Sequence, residues 1–302
     1  MQYVFIVNLQ ARDGELAQLW HAAEAAIRSE MGGSIEVCYP GSAQETLQLA
    51  RQYADLGAYC IVSVGGEGTM NLVMQGIMES AHRDDTVMAL VPFGNVNDYA
   101  STLGMQKSWQ SAIQTLQQGR ERKVGVTELI TPESRNYALN IADIGFGAST
   151  AKLHSVDRKL AWVKGRLKYN LLAIRALMSW KNIPCKLQID DEEIYGDIAL
   201  VLAGNSPTLG GFRVLPHASF DSDGFAVTIC RDISRLKLMA VLEDSKRSRL
   251  KESDQVLFRH ASRIRVEPES AFVTQVDGEI TNLQANTVEF IAYPQALRFM
   301  SP

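Results

Sequence analysis

Short apolar runs alternate with longer amphipathic stretches along the first 119 residues of the chain. Four runs rich in β-branched and aromatic residues predict buried β-strands, at residues 3–7, 35–40, 59–64 and 87–94. The stretches between them carry apolar residues at helical spacing, at residues 14–31, 42–56, 69–79 and on to Gly119. This alternation predicts an N-terminal α/β domain with a doubly wound parallel sheet that helices cover on both faces.

After Gly119 the pattern changes to short strands at close spacing, such as "KVGVTELITP" and "GDIALVLAGN". One long helical pattern, at residues 159–180, interrupts them. Such spacing predicts a C-terminal domain that is β-sandwich-like and mainly antiparallel. The expected domains are residues 1–122 and 123–302, with the basic run 119–123 as the hinge, and the return of the last strand to the first domain is left open.

Composition and charge exclude several classes of protein. The chain has 302 residues, 46% of them hydrophobic, which is enough for two cores. Its net charge of −4 argues against nucleic acid as a partner. The cysteines form no CxxC pair, so we expect reduced thiols in a cytoplasmic protein. No charged leader and no run of about 18 apolar residues is present, so no membrane span is expected.

The stretch "IVSVGGEGTMNLVMQGIM" runs from a predicted strand through three glycines into a predicted helix. At the carboxyl end of a parallel strand, Gly65, Gly66 and Gly68 would let an anionic ligand approach the main chain, and Thr69 can cap the helix. A tight turn without a ligand is the alternative. Glu67 would repel phosphate unless a divalent cation or a proton transfer requires it, and kinase chemistry supplies both.

The next predicted strand ends in a second polar loop, "LVPFGNVNDYASTLG". It places Asn95, Asn97 and Asp98 at the adjacent strand's carboxyl edge, where two such loops define a nucleotide crevice. Asp98 taken alone would be read as a helix N-cap. The neighbouring glycine loop favours the functional interpretation.

Two further segments have both a structural and a functional interpretation. Asp277-Gly278-Glu279 has the sequence of a hairpin turn, and a hairpin tip can also carry a catalytic carboxylate. Residues 151–181 hold eight Lys or Arg against Asp157 alone. The simpler interpretation is a helix with a solvated basic face, and the alternative is a surface for anionic phospholipid, with Trp162 and Trp180 near the interface.

Five motifs in this order resemble the diacylglycerol kinase catalytic-domain family, which includes sphingosine kinases and bacterial soluble lipid kinases and is more distantly related to NAD kinases. They are "GGEGTMNLVMQGI", "VPFGNVNDYASTLG", "NIADIGFGAST", "LAGNSPTLGGFRVLPHASFDSDG" and "QVDGEI". The resemblance implies a kinase that uses ATP and Mg²⁺ and whose active site lies between a nucleotide-binding domain and a β-sandwich domain.

The resemblance also implies roles for residues of this chain. The ATP phosphates would contact Gly65, Gly66, Gly68 and Thr69, and Asn95, Asn97 and Asp98 would line the nucleotide and metal region. Glu279 or Glu67 would be the general base, with Asp277 beside it. Asp221 and Asp223 fall where some bacterial members bind a structural magnesium ion.

The chain also departs from the family's pattern. Glu67 stands for the usual aspartate, Asn95 for a threonine and Val96 for a glycine, and no aspartate follows Gly224. From the resemblance we expect a kinase for a hydroxyl of a lipid such as diacylglycerol or a sphingoid-like acceptor. A kinase for a small soluble alcohol or NAD and a catalytically weak nucleotide- or lipid-binding regulator stay as alternatives. Peripheral contact with an anionic membrane and a homodimer are also left open.

Overall fold

The chain passes twice between two compact units, residues 1–126 with 294–302 (unit 1) and residues 127–293 (unit 2). The computed structural model describes residues 2–11, 14–31, 34–94, 97–105, 108–156 and 175–302. Both crossings fall within strands, β5 (Arg120–Ile130) and β17 (Val288–Ser301). Residues 120–123, which the sequence suggests as a hinge, are thus the first residues of a strand.

Unit 1 alternates strands and helices in the predicted order. Its elements are β1 (Gln2–Val7), α1 (Glu15–Met31), β2 (Ser34–Cys38), α2 (Ala43–Asp55), β3 (Cys60–Gly65), α3 (Glu67–Met78), β4 (Val87–Pro92), α4 (Asp98–Thr102) and α5 (Trp109–Gln118), with a 3₁₀ turn at Arg83–Asp85. The strands pair in the order β2-β1-β3-β4-β17, and every pair is parallel.

Helices cover both faces of this sheet because successive strand residues point to opposite sides. Phe5 and Val62 share one apolar cluster with Trp20 of α1 and Ile113 of α5. Helices α2 and α3 contact each other and also contact β1 and β3. All residues of β3 and β4 are buried, as expected for central parallel strands.

Unit 2 is built mainly of antiparallel strands. Its elements are β6 (Arg135–Ala138), β7 (Ile141–Gly145), α6 (Phe146–Val156), β8 (Ile183–Ile189), β9 (Glu192–Gly204), β10 (Thr208–Leu209), β11 (Phe212–Arg213), β12 (Phe225–Arg231), α7 (Arg235–Lys246), β13 (Val256–Ala261), β14 (Arg263–Pro268), β15 (Phe272–Val276) and β16 (Glu279–Ala285). The strands from β16 to β17 run in the order β16-β15-β7-β9-β8-β14-β17, and β12 and β13 extend from β9.

Alternation along β9 separates two apolar clusters in unit 2. Val201 points into a cluster shared by strands, including Phe272 and Phe290, whereas Leu200 points into a cluster with Phe146 of α6 and Leu238 of α7. The predicted fold class, a parallel α/β domain followed by a β-rich domain, is confirmed. The domain limits 122 and 123 stay a prediction.

The predicted basic helix at 159–180 is described only in part, since residues 157–174, including Trp162, lie outside the described residues. Residues 175–179 are helical. Trp180 is half-buried, its ring meets Phe146 edge to face at 5.7 Å, and its Nε1 donates to Asn182 Oδ1. It therefore packs in unit 2, and its expected position near a membrane interface stays a prediction. Among the described helices, none is both long and apolar enough to cross a bilayer.

Candidate active site

The glycine loop lies where β3 ends and α3 begins, as the sequence predicts. Gly66 is the N-cap of α3, with φ −93° and ψ −171°, and no side chain caps the helix. The expectation that Thr69 caps it is wrong, because the helix starts two residues earlier, at Glu67. Thr69 Oγ1 instead accepts a hydrogen bond of 3.0 Å from Asn8 Nδ2, which ties the end of β1 to the first turn of α3.

The second loop lies directly beside the first. Gly65 pairs with Pro92 across β3 and β4, and the amide of Phe93 donates to Gly65 O at 2.8 Å. A Cβ added at Gly94 would lie 2.8 Å from the Cα of Gly66. The two main chains thus approach too closely for a side chain at Gly94, and the expectation that the loops adjoin agrees with this geometry.

Glu67 connects the two loops through its carboxylate. Its Oε1 accepts a hydrogen bond of 2.8 Å from the amide of Asp98, the first residue of α4. Glu67 is the first residue of α3 and Asp98 the first of α4, so two carboxyl groups lie at neighbouring helix N-termini. Asp98 is 8% exposed.

Asn97 shapes the second loop. It has a left-handed backbone (φ 60°) and is 3% exposed. Its Oδ1 accepts from the amide of Gly94, and its Nδ2 donates to Gly94 O at 2.7 Å. Both ends of the amide are used within the loop, so Asn97 holds the main chain in place. Asn95, also predicted to contact the nucleotide, lies outside the described residues.

The predicted hairpin at residues 277–279 is present in unit 2. Asp277 and Gly278 form the two-residue turn between β15 and β16, with φ values of 50° and 92°, as a type I′ turn requires. The carboxylate of Asp277 is buried and accepts hydrogen bonds from the amides of Leu139, Asn140 and Ile141, at 3.0, 2.9 and 3.0 Å. Asp277 therefore has a structural role, whereas the side chain of Glu279 is exposed.

Asp221 and Asp223, where the resemblance implies a structural magnesium ion, lie at the surface of unit 2. The side chain of Asp223 is 96% exposed and lies 3.5 Å from His260 Nε2, and Asp221 is exposed. Among the described residues, no group of three acidic, histidine or cysteine side chains converges. Magnesium commonly keeps several waters and binds through one or two carboxylates, so an ion at Asp221 and Asp223 stays a prediction.

A buried acid that the sequence interpretation passed over lies in β7. Asp143 is fully buried, its Oδ2 accepts a short hydrogen bond from Gln275 Nε2, and a Cβ at Gly147 would lie 2.5 Å from that oxygen. Burial raises the pKa of Asp143 to about 7. Among the described residues, Asp143 Oδ1 and Gln275 Oε1 have no partner. The one sequence signal was an aspartate between Ala142 and Ile144 inside an apolar strand.

Two family models match the chain and together span most of it. Residues 2–129 match the diacylglycerol kinase catalytic domain, and residues 142–301 match the YegS C-terminal NAD kinase beta sandwich-like domain. The two matched regions correspond to the parallel sheet with its glycine loop and to the β-rich unit.

Individual relatives and solved structures agree with these matches. The chain is 27% identical over 271 residues to a "Probable lipid kinase YegS-like" protein of Chromohalobacter salexigens, covering 88% of this chain and 85% of that protein. It is 26% identical to a diacylglycerol kinase of Staphylococcus saprophyticus, covering 72% and 70%. The fold resembles a solved diacylglycerol kinase from Bacillus anthracis with a TM-score of 0.74 at 16% identity, covering 100% of this chain and 97% of that one.

Proposed function

This chain belongs to the family that joins a diacylglycerol kinase catalytic domain to a YegS C-terminal domain, and we propose that it transfers the γ-phosphate of ATP to a hydroxyl of a lipid such as diacylglycerol. The observation that carries the proposal is the paired loop of unit 1. There the N-terminus of α3 has no side-chain cap and follows directly from β3. Uncapped amides and the helix dipole suit a phosphate group.

Main-chain groups do the binding in this proposal. The amides at the start of α3 would donate to phosphate oxygens, and the absence of a side chain at Gly66 would let those oxygens come close. Asn8 and Asn97 keep the two loops in place through their bonds to Thr69 and Gly94. Such preorganised donors stabilise charge that develops during transfer without reorganising.

The carboxylates of Glu67 and Asp98 are the groups of unit 1 that would hold Mg²⁺. Both are hard oxygen donors at neighbouring helix N-termini, which fits the chemistry of that ion. A bound magnesium ion would neutralise charge on the phosphates. The residues themselves fix the loop, because Glu67 also accepts from the Asp98 amide.

Glu279 is the favoured general base of the proposal, and Glu67 is the alternative. Glu279 follows the Asp277-Gly278 turn, whose geometry is fixed by the bonds of Asp277. Its carboxylate is exposed, so it is accessible to a substrate hydroxyl. Glu67 is a weaker candidate, since its carboxylate already accepts a hydrogen bond from the Asp98 amide.

A substrate panel tests the proposal directly. Labelled ATP is offered with diacylglycerol, a sphingoid base, phosphatidylglycerol and NAD in turn. Phosphate transfer to a lipid supports the proposal. Transfer to NAD alone would show a kinase for a soluble acceptor, and ATP binding without transfer to any member would show a regulator.

Gly66→Asp tests the loop. Asp is a favoured N-cap residue, and the backbone at Gly66 suits any residue, so α3 should be at least as stable. The added carboxylate would occupy and repel the phosphate position, so we expect kcat/KM for ATP to fall by at least about 100-fold. Phosphate transfer and thermal unfolding are measured on the same sample.

Gly66→Ala is the matched control, because its Cβ would meet the nearest atom, Gly94 Cα, at 3.4 Å, which the loop accommodates with little movement. It should lose much less activity than Gly66→Asp. A folded Gly66→Asp variant with the full rate would mean that phosphate does not bind at this loop.

A further inference from the structure

Helix α7 of unit 2 carries apolar residues on its exposed side as well as on its buried side. Leu238 and Val241 face the core, but Leu236 and Met239 point to solvent and are 77% and 46% exposed. A surface helix that packs on a core normally carries polar residues on its outer face. The outer face of the first two turns of α7 is therefore apolar without a partner among the described residues.

Met178, which is 72% exposed, lies in a segment that adjoins the start of α7. Two hydrogen bonds hold its segment against the start of α7. Arg235 Nε donates to Trp180 O at 2.8 Å, and Asn182 Nδ2 donates to Ile233 O at 2.9 Å. We call Met178, Leu236 and Met239, with the basic residues beside them, the α7 surface.

The basic residues of the α7 surface are Lys181, Arg235 and Lys237, and all three are exposed. None of them forms an ion pair among the described residues. Of the acidic residues nearby, Glu243 pairs with Arg247 at 2.9 Å and Asp232 Oδ1 accepts from the amide of Asp197, whereas the exposed Asp244 lies near the other end of α7. Exposed aliphatic side chains are thus bordered by cations that form no ion pair in the described part of the chain.

We propose that the α7 surface docks this protein onto a bilayer that contains anionic phospholipid. The combination of aliphatic side chains with uncompensated cations matches a membrane interface, where apolar groups enter between the headgroups and cations meet lipid phosphates. A protein that docked here would need an apolar patch with an acidic rim, and no observation on this chain points to such a partner. The proposal rests on the proposed function, since a lipid kinase must reach an acceptor that resides in a bilayer.

Vesicle sedimentation of the full chain tests the docking. We expect wild type to bind vesicles of phosphatidylcholine mixed with phosphatidylglycerol, to bind less as salt is added, and not to bind phosphatidylcholine alone. Leu236→Ser with Met239→Ser should lower the partition coefficient by on the order of tenfold. Lys181→Gln with Lys237→Gln should lower it by about 25-fold, since each cation near an anionic surface is worth about fivefold.

Leu56→Ser is the matched control, because Leu56 is also an exposed leucine (69%) but lies at the end of α2 in unit 1. It should bind vesicles as wild type does. All the substituted side chains are exposed, so circular dichroism and thermal unfolding should match wild type. Equal vesicle binding by wild type and both double variants would overturn the proposal. A wild type that does not bind anionic vesicles would also overturn it.

Activity on a water-soluble short-chain diacylglycerol separates this proposal from the proposed function. The α7 variants should phosphorylate that acceptor as fast as wild type. A wild type that binds vesicles through this surface but has no such activity would leave the docking supported and the kinase proposal refuted. A wild-type dimer that Leu236→Ser dissociates would instead assign the α7 surface to a second copy of the chain and overturn the docking.

Discussion

At the scale of single residues, Glu67 combines two properties that a substitution can separate. Its Oε1 accepts from the amide of Asp98, and its charge lies at the N-terminus of α3. A glutamine at this position keeps an acceptor oxygen of the same reach and removes the charge. The loop contact and the chemistry can therefore be tested independently.

Glu67→Gln should leave thermal unfolding close to that of wild type and lower kcat by about 100-fold or more, as expected when a group that binds the metal or takes a proton loses its charge. Glu67→Ala is the control that removes the loop contact as well, and it should also lower the melting temperature. If Glu67→Gln keeps the full rate, the residue only supports the second loop.

Asp143 gives a prediction about pH. Burial raises the pKa of Asp143 to about 7 from 3.8, so the folded chain binds a proton that the unfolded chain releases between these values. The contribution of this group to stability is therefore present at low pH, declines as the pH rises from about 4 to about 7, and changes no further above that. Asp143→Asn keeps the acceptor oxygen and cannot ionise, so its free energy of unfolding relative to wild type should increase from pH 5 to pH 8. Urea unfolding at several pH values measures this.

Asp191→Asn, at an exposed aspartate, is the control for the pH series and should follow wild type at every pH. A constant difference between Asp143→Asn and wild type across the series would mean that Asp143 ionises in the folded protein as it does in the unfolded one.

The sequence predicted the glycine positions of the loop but not the contacts that hold it. Three glycines between a strand and a helix are a local pattern, and the structure has the strand and helix where the pattern indicates. The bonds from Asn8 to Thr69 and from Gln275 to Asp143 join residues 61 and 132 positions apart. Such bonds depend on strand register, which a single sequence does not reveal.

At the scale of elements, the hairpin of β15 and β16 carries a structural carboxylate, Asp277, and the proposed catalytic carboxylate, Glu279, two residues apart. Asp277 accepts three main-chain hydrogen bonds from the segment that leads into β7, whereas Glu279 is exposed. The sequence allowed both a turn and a catalytic carboxylate here. The turn is present, and the catalytic part of the prediction now depends on Glu279. Thr69, a favoured N-cap residue, predicts that α3 starts there, but the helix starts at Glu67 because Gly66 can serve as N-cap without a side chain.

Asp277→Ala should lower the free energy of unfolding by on the order of 3 kcal/mol, because three buried amides lose a charged acceptor. Urea unfolding measures the loss, and hydrogen exchange at residues 139–141 should locate it. Glu279→Ala is the control on the other side of the turn, with unchanged stability and a large loss of activity. Stable Asp277→Ala protein would contradict the structural role of that carboxylate.

At the scale of the whole molecule, strand β17 serves both units. Residues 288–291 pair with β14, and Arg298 and Phe299 pair with β4 of unit 1. Phe290 and Phe299 are both fully buried, one in each unit. The ring of Phe299 meets Tyr99 of α4 at 5.2 Å, so the end of the strand supports the helix that follows the second loop.

Phe299→Ala should destabilise unit 1 by about 3–5 kcal/mol and also weaken ATP binding, because α4 loses packing. Phe290→Ala, the matched control in the same strand, should cost a similar amount in unit 2 and leave the loops at Gly65 and Asp98 protected. Hydrogen exchange of both variants compares the two units. Equal loss of protection at the loops in both variants would contradict this division of roles.

The double crossing through β5 and β17 also bears on how the protein is made. A ribosome completes all of unit 2 before it reaches residues 294–302, whose strand lies beside β4. Until then β4 is an edge strand of the parallel sheet, and the backbone N–H and C=O groups on its outer side are unpaired. The parallel sheet of unit 1 therefore lacks its β17 strand until residues 294–302 have been made.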